Sequence, residues 1–286
     1  MIKTAVILTV YNRREVTLQG LRSLYSAIGF LQKKQPEANY KFDIYMTDDG
    51  CTDGTGEAVR KEFPDVHIIQ GDGTLYWSGG MRKAWQTAID SGIEYGFYLW
   101  FNDDADLYED ALVTMFNSEK EAGGNAIISG AFCDKEGRVS YGGRNKRQNI
   151  LEPNGELQSI CLMNGNLVII PSIVLNDIGI IDDIYIHSLG DWDYGCRASE
   201  SGYDVFLSAK YVGRTERHDG DTEPFLNKKY NLGKRFKLLY SDMHSPVKSF
   251  VFCKRHFGLL SALRVFGVLN ICTVHPSLYK LMKCTK

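Results

Sequence analysis

Two aspartates that follow an apolar run are the first residues of this 286-residue chain with the makings of chemistry. Asp103 and Asp104 come directly after FYLWF (97–101), inside NDDAD, and carboxylates crowded at a strand end repel one another unless a cation or hydrogen-bond donors neutralise them. A hard divalent ion meets that need. Mg²⁺ and Mn²⁺ take oxygen ligands, one or two carboxylates among them, and complete their shell with phosphate oxygens and water. An acidic turn that caps the next helix fits the same letters. A second acidic pair, Asp48 and Asp49, opens the turn DDGCTDGT, where a carboxylate can accept hydrogen bonds from a ribose or a base. Thr9, Tyr11 and Asn12 close the first apolar run and offer an aromatic face and a polar edge to such a base.

These residues need a scaffold that brings them to one edge. TAVILTV (4–10) is a β-branched run of buried-strand length, and Leu18, Leu21, Leu24, Ile28 and Leu31 follow it at helical spacing, with Val16 and Tyr25 on the same pattern. FDIYM (42–46), a helix capped by Thr52 or Asp53 and ending at Phe63, VHII (66–69), a helix over 80–90 and FYLWF continue the alternation. Alternation of this kind predicts an α/β fold with a mostly parallel central sheet and flanking helices. Ligands of such sheets lie beyond the carboxyl ends of the strands, so Asp48, Asp49, Asp103 and Asp104 should share one rim. The second half is less regular: strands are expected at 126–132, 166–170 and 203–207, a long loop or hairpin over 134–160, and a helix from Asp191 to about Ser201.

Composition narrows the function classes. The formal charge is −2, yet residues 228–286 hold twelve Lys or Arg and one acid, Asp242, about +11 against about −13 elsewhere. No nucleic-acid binder is indicated, and the tail is the candidate for an anionic partner. Seven scattered cysteines without a CxxC pair indicate neither a zinc site nor a disulfide framework, which points to a reducing compartment. The start reads as a first strand rather than a signal peptide, and no membrane span is evident. Neither GxGxxG nor GxxxxGK[ST] is present, which disfavours a dinucleotide-binding dehydrogenase and a P-loop enzyme. The domains expected are 1–225, nucleotide-sugar binding and catalysis, and 226–286, a basic amphipathic helical extension.

Taken together, ILTVYNR, DDGCTDGT, GDGTLYWSGGMRKAW, YLWFNDDAD and GDWDYGCRASESGYDV resemble family 2 glycosyltransferases of the A-type nucleotide-diphospho-sugar fold, in the branch of rhamnosyltransferase-like enzymes. The resemblance covers about residues 3–220. It implies that the metal-binding DxD motif falls on Asn102, Asp103 and Asp104, with its first acid replaced by Asn. Asp104 is then the favoured metal ligand, with Asp106 as a substitute, and His218 matches a late histidine that such enzymes bring to the metal. The family's nucleotide-binding positions fall on Thr9, Tyr11, Asn12, Asp48 and Asp49, and Arg82 follows the Gly-rich turn where positive charge can approach a pyrophosphate. The catalytic acid of the family falls on Gly190 and Asp191, so Asp191 is the expected general base. Asp193 lies roughly 200° around the helix from Asp191 and four residues before Arg197, a position suited to an ion pair. His187 and Trp192 are the acceptor-side candidates, Trp192 as a platform for a sugar face or as a core aromatic.

The resulting expectation is a metal-dependent inverting glycosyltransferase using Mn²⁺ or Mg²⁺. Its donor is a nucleotide diphosphate sugar, and its acceptor a hydroxyl of a glycan or lipid-linked glycan in surface polysaccharide assembly. The expected location is cytoplasmic, peripheral on the inner face of the membrane. A sugar nucleotidyltransferase and a non-catalytic membrane-associated sugar-binding module are the alternatives. In the tail, Phe250, Val251, Phe257, Leu260, Leu263 and Val268 are interleaved with Lys248, Lys254, Arg255 and Arg264. That pattern suits a helix on anionic lipid, or one packed on the catalytic domain.

Overall fold

The computed structural model describes residues 1–145, 148–216, 223–241, 245–279 and 282. They form two compact units: Met1–Asp183 with Gly190–Arg217, and Ile184–Leu189 with His218–Lys286.

The first unit is a sheet with helices on both faces. β1 (Ile2–Val10) is followed by α1 (Arg14–Lys34), β2 (Tyr40–Asp48), α2 (Thr55–Glu62), β3 (His67–Gln70), α3 (Tyr76–Asp90) and β4 (Phe97–Phe101). Alternation along β1 sends Val6, Leu8 and Val10 into one core with Leu18, Leu21, Leu24 and Leu31 of α1. Ala5 and Ile7 enter the opposite core with Met81, Ala84, Trp85 and Ala88 of α3. A strand buried on both faces is why its sequence is an unbroken apolar run. Val16, by contrast, is exposed.

β5 (Asp106–Leu107), α4 (Ala111–Glu121), β6 (Ile127–Cys133), β7 (Val139–Tyr141), β8 (Gln158–Ser159), β9 (Leu167–Pro171), α5 (Ser172–Ile178), α6 (Gly190–Glu200) and β10 (Val205–Arg214) complete the unit. The strand order is β3-β2-β1-β4-β9-β6-β10-β5. The first four strands are parallel, as the alternation predicts, but β9 lies antiparallel between β4 and β6, so the sheet as a whole is mixed. Parallel return needs a crossover of a dozen or more residues, usually a helix. Between β6 and β9 the chain instead runs through β7, which pairs with β6, and through bridges from Arg144 to Ile150 and Leu162. Val10 lies opposite Asp48 and Ile7 opposite Trp100, so β1, β2 and β4 end at one rim, where the strand order switches direction.

In the second unit Ile184–Leu189 is turn and bend, and the helices lie in the later segment. It contains α7 (Leu232–Leu239), α8 (Pro246–Phe257) and α9 (Leu259–Val274). No described helix is long and apolar enough to cross a membrane.

Candidate active site

At the β1–β2 end of the rim the polar side chains are largely engaged with one another. Asn12, in left-handed backbone, accepts from the Thr52 amide through Oδ1 at 2.7 Å and from the Thr52 hydroxyl at 3.3 Å. Its own amide donates to the Cys51 thiol sulfur, 3.2 Å away. Asp48 Oδ1 accepts from the Cys51 amide at 2.8 Å. Thr9 donates to the Thr47 carbonyl at 3.4 Å. Tyr11 is the exception: it is 53% exposed and presents its ring to solvent.

Asp49 is almost fully buried. Its carboxylate accepts from the amides of Gly73 (2.9 Å), Leu75 (3.1 Å) and Tyr76 (3.0 Å), at the start of α3. A carboxylate at a helix N-terminus satisfies donors that have no partner inside the helix. The group expected to receive a ribose or base therefore receives the protein's own amides. Arg82, expected to face a pyrophosphate, donates to the Asp182 carbonyl at 3.0 Å. Its half-buried guanidinium is pushed down by desolvation, with Asp183 and Asp182 opposing.

The NDD turn has three separate roles. Asp103 is fully buried, accepting from the Thr17 hydroxyl at 2.6 Å and paired with the Arg13 guanidinium. Burial raises its carboxyl to about 6, with Arg13 and then Thr17 working against the shift and Asp104 adding to it. Asp104 keeps 19% of its side chain exposed and accepts from Arg13 Nη1 at 3.0 Å, so one guanidinium spans both acids. Asn102 faces elsewhere: its Oδ1 accepts from the Trp77 indole N–H at 2.6 Å and its amide donates to Asn166 Oδ1 at 2.6 Å. The turn sits so close to α1 that a Cβ on Gly20 would lie 2.1 Å from the Asp103 carbonyl oxygen, so only glycine fits there.

Asp191 opens α6. Its residue is half-buried, and burial raises its carboxyl to about 6; the amides of Trp192, Asp191 and Gly165 pull in the opposite direction. The Trp192 amide donates to it at 2.9 Å. Two residues on, Asp193 is fully buried and paired with Arg197 at 2.8 Å, the ion pair that the spacing predicts. Gly165 joins α6 to the NDD turn. A Cβ there would lie 2.5 Å from Trp77 Cζ2 and 3.5 Å from Asp191 Cβ. The base candidate, Trp77 and Asn102 are thus consecutive neighbours. The Arg144 guanidinium lies 5.9 Å from the Trp192 ring, adding a cation beside the acceptor candidate. His187 belongs to the Ile184–Leu189 segment of the second unit, and His218 lies outside the described residues.

Four of these residues were given no role by a reading of the sequence: Arg13 and Trp77, although they lie in ILTVYNR and GDGTLYWSGGMRKAW, and Thr17 and Asn166, which lie outside the quoted segments. The signal for Arg13 was its place beside the Tyr11–Asn12 turn; Thr17 looks like any polar residue in a helix. Asn166 is 6% exposed, and its side-chain Nδ2 has no partner among the described residues, a buried donor of the kind a ligand satisfies.

A divalent ion has one suitable anchor here. Asp103 is committed to Arg13 and Thr17, Asn102 is neutral and committed to Trp77 and Asn166, and no group of three His, Cys, Asp or Glu side chains converges among the described residues. A partly exposed Asp104 fits a hard ion that takes one carboxylate from the protein and the rest of its oxygens from a diphosphate and water.

The family model described as Glycosyl transferase family 2 matches residues 5–184. Among solved structures, the 1–349 fragment of S. aureus TarS in complex with UDP-GlcNAc is similar at 12% identity and a TM-score of 0.56, over 96% of this chain and 92% of that one. The mannosyltransferase PcManGT from Pyrobaculum calidifontis, in complex with GDP-Man and Mn²⁺, is similar at 14% identity and a TM-score of 0.55, over 99% of this chain and 82% of that one. At these identities the likeness is one of fold, and that fold is the A-type glycosyltransferase fold. No curated protein matches the chain.

Proposed function

The chain belongs to glycosyl transferase family 2, and on that premise we propose that it transfers a sugar, with inversion, from a nucleotide diphosphate donor to a hydroxyl of a glycan or lipid-linked glycan. A role in surface polysaccharide assembly, in the rhamnosyltransferase-like branch, is part of the same reading. The observation that carries it is the contiguity of Asp191, Gly165, Trp77 and Asn102, which sets the Asp191 carboxylate near the NDD turn.

In this reading Asp191 takes the acceptor proton as the acceptor oxygen bonds to the anomeric carbon and the bond from that carbon to the diphosphate breaks. Its carboxyl suits proton abstraction, because burial has moved it toward neutrality while leaving it ionised at pH 7, and no cation is needed to explain its position. The Asn166 amide donates to the donor sugar or its phosphate, and the Asn102–Trp77 pair fixes Asn166. Tyr11 stacks on the base, on a turn held by Asn12, Thr9, Asp48 and Asp49. Asp104 would hold Mg²⁺ or Mn²⁺, which would supply positive charge to the departing diphosphate. Arg82 stays on the donor side as a positive charge. Trp192 and His187 serve the acceptor, and His218 is a further candidate for the metal.

A panel of UDP-, GDP- and dTDP-sugars with Mn²⁺ or Mg²⁺ and glycan acceptors tests the proposal. Release of the nucleoside diphosphate is the expected result, whereas pyrophosphate release from a nucleoside triphosphate and a sugar phosphate would identify a nucleotidyltransferase. Donor binding without release would identify a sugar-binding module. Asp104→Ala is expected to abolish the Mn²⁺-dependent part of donor binding in calorimetry. Unchanged affinity would assign the ion to Asp106 or deny it altogether.

A further inference from the structure

The second unit ends its apolar surface in an unusual place. α8 and α9 fold back on each other, as the packing of Phe250 against Phe266 shows, with ring centroids 6.1 Å apart in an edge-on arrangement. Gly258 makes the turn at φ +86° and ψ 168°, a backbone conformation reached essentially by glycine alone. Ala262 and Cys272 of α9 are fully buried. On the opposite side, Leu260 (85% exposed), Leu263, Ile271 and Val274 recur every three, eight and three residues, which at the helical period keeps them within one narrow stripe. Phe257 and Leu259 extend the stripe across the turn.

An exposed apolar stripe of this kind marks a contact surface. Charge selects its occupant. Lys254, Arg255 and Arg264 are exposed within a few residues of Leu260, and from Met243 to Lys286 the sequence contains no Asp or Glu. Two copies meeting through this face would oppose cation to cation, while a bilayer with anionic headgroups offers both an apolar interior and the opposite charge. α9 has 16 residues and no described helix can span a bilayer, so the geometry is that of a helix pair lying on the surface.

We propose that the α8–α9 turn is a membrane-docking element, with Phe257, Leu259, Leu260 and Leu263 inserted among the acyl chains and Lys254, Arg255 and Arg264 on anionic headgroups. This narrows the basic extension to one turn. Phe250, which by pattern belongs to the same amphipathic face, packs instead on Phe266 inside the helix pair. The proposal stands apart from the transfer reaction and is tested without it.

The test is co-sedimentation of the full-length protein with phosphatidylcholine vesicles, with and without phosphatidylglycerol. Binding is expected only when phosphatidylglycerol is present, and it should weaken as salt rises. Lys254→Gln with Arg255→Gln should lower the partition coefficient by about fivefold per charge, equivalent to about 1 kcal/mol each. Leu260→Asp should lower it by about tenfold or more, because a carboxylate would have to enter the acyl region. Leu260→Gln is the companion variant should the charge itself perturb folding, and at 85% exposure neither should shift the melting temperature. Equal sedimentation with neutral vesicles, or wild-type partition in both Leu260 variants, would overturn the proposal. So would a concentration-dependent dimer in gel filtration that Leu260→Asp converts to monomer, since a second copy would then be the occupant.

Discussion

The NDD turn and the start of α6 both hold a carboxyl that burial has raised to about 6, but they treat it in opposite ways. Asp103 meets a guanidinium and a hydroxyl, while Asp191 meets only backbone amides among the described residues. A buried carboxylate with a cation is held in place by its ion pair. One without a cation is free to exchange its proton near neutral pH. The difference separates a carboxyl that fixes a turn from one able to do acid–base work, even though the two titrate at similar pH.

The largest expected effect breaks the α6 side. Asp191→Asn should keep donor affinity and fold but lower turnover by about 10²-fold or more, the usual scale for a general base. Wild-type turnover in that variant would remove Asp191 from the chemistry. In the unaltered enzyme the same assignment predicts a pH limb. Below about 6, where Asp191 becomes protonated, the rate should fall about tenfold per pH unit.

A smaller effect is expected from the NDD side. Arg13→Met leaves the fully buried Asp103 with Thr17 as its remaining side-chain donor and should cost about 1–3 kcal/mol in urea unfolding at pH 8. Arg13 is itself 38% exposed, so solvent screens the pair and the loss stays below that of a fully buried one. The pH sign follows from the shift. Arg13 holds the Asp103 carboxyl down, so its stabilisation is fully present only where Asp103 would stay ionised even without Arg13, and it is lost as pH falls from there to about 6, below which Asp103 is neutral with or without it. A deficit that did not shrink at pH 5 would mean that Arg13 matters by packing alone. The activity limb should not move in this variant if it belongs to Asp191.

The smallest effect concerns the link between the two regions. Trp77→Phe removes the indole N–H from Asn102 but keeps an aromatic ring against Gly165. The loss of one hydrogen bond, about 1 kcal/mol, should weaken donor binding about fivefold and leave the pH limb in place. Loss of turnover at unchanged donor affinity would show instead that Trp77 acts on Asp191.

The architecture of the first half was legible because its signals are local. An unbroken β-branched run requires burial on both faces, and β1, β2 and β4 appear close to where their runs lie. FYLWF is β4 residue for residue. The Asp193–Arg197 pair was legible for the same reason, since i and i+4 meet on any helix. The antiparallel entry of β9 was not, because nothing in LVIIP encodes its neighbours.

The site divides along the same line. The sequence by itself determined which acids stand at strand ends and helix starts, since strand length and capping chemistry are read from a few adjacent residues. Tertiary structure alone decided which of those acids is paired. Arg13 is about ninety positions from Asp103 and Asp104, Trp77 is 25 from Asn102, and Asn102 is 64 from Asn166. Ionisation depends on burial and on the charge within a few ångströms, and both are properties of the packed fold that no interval along the chain contains.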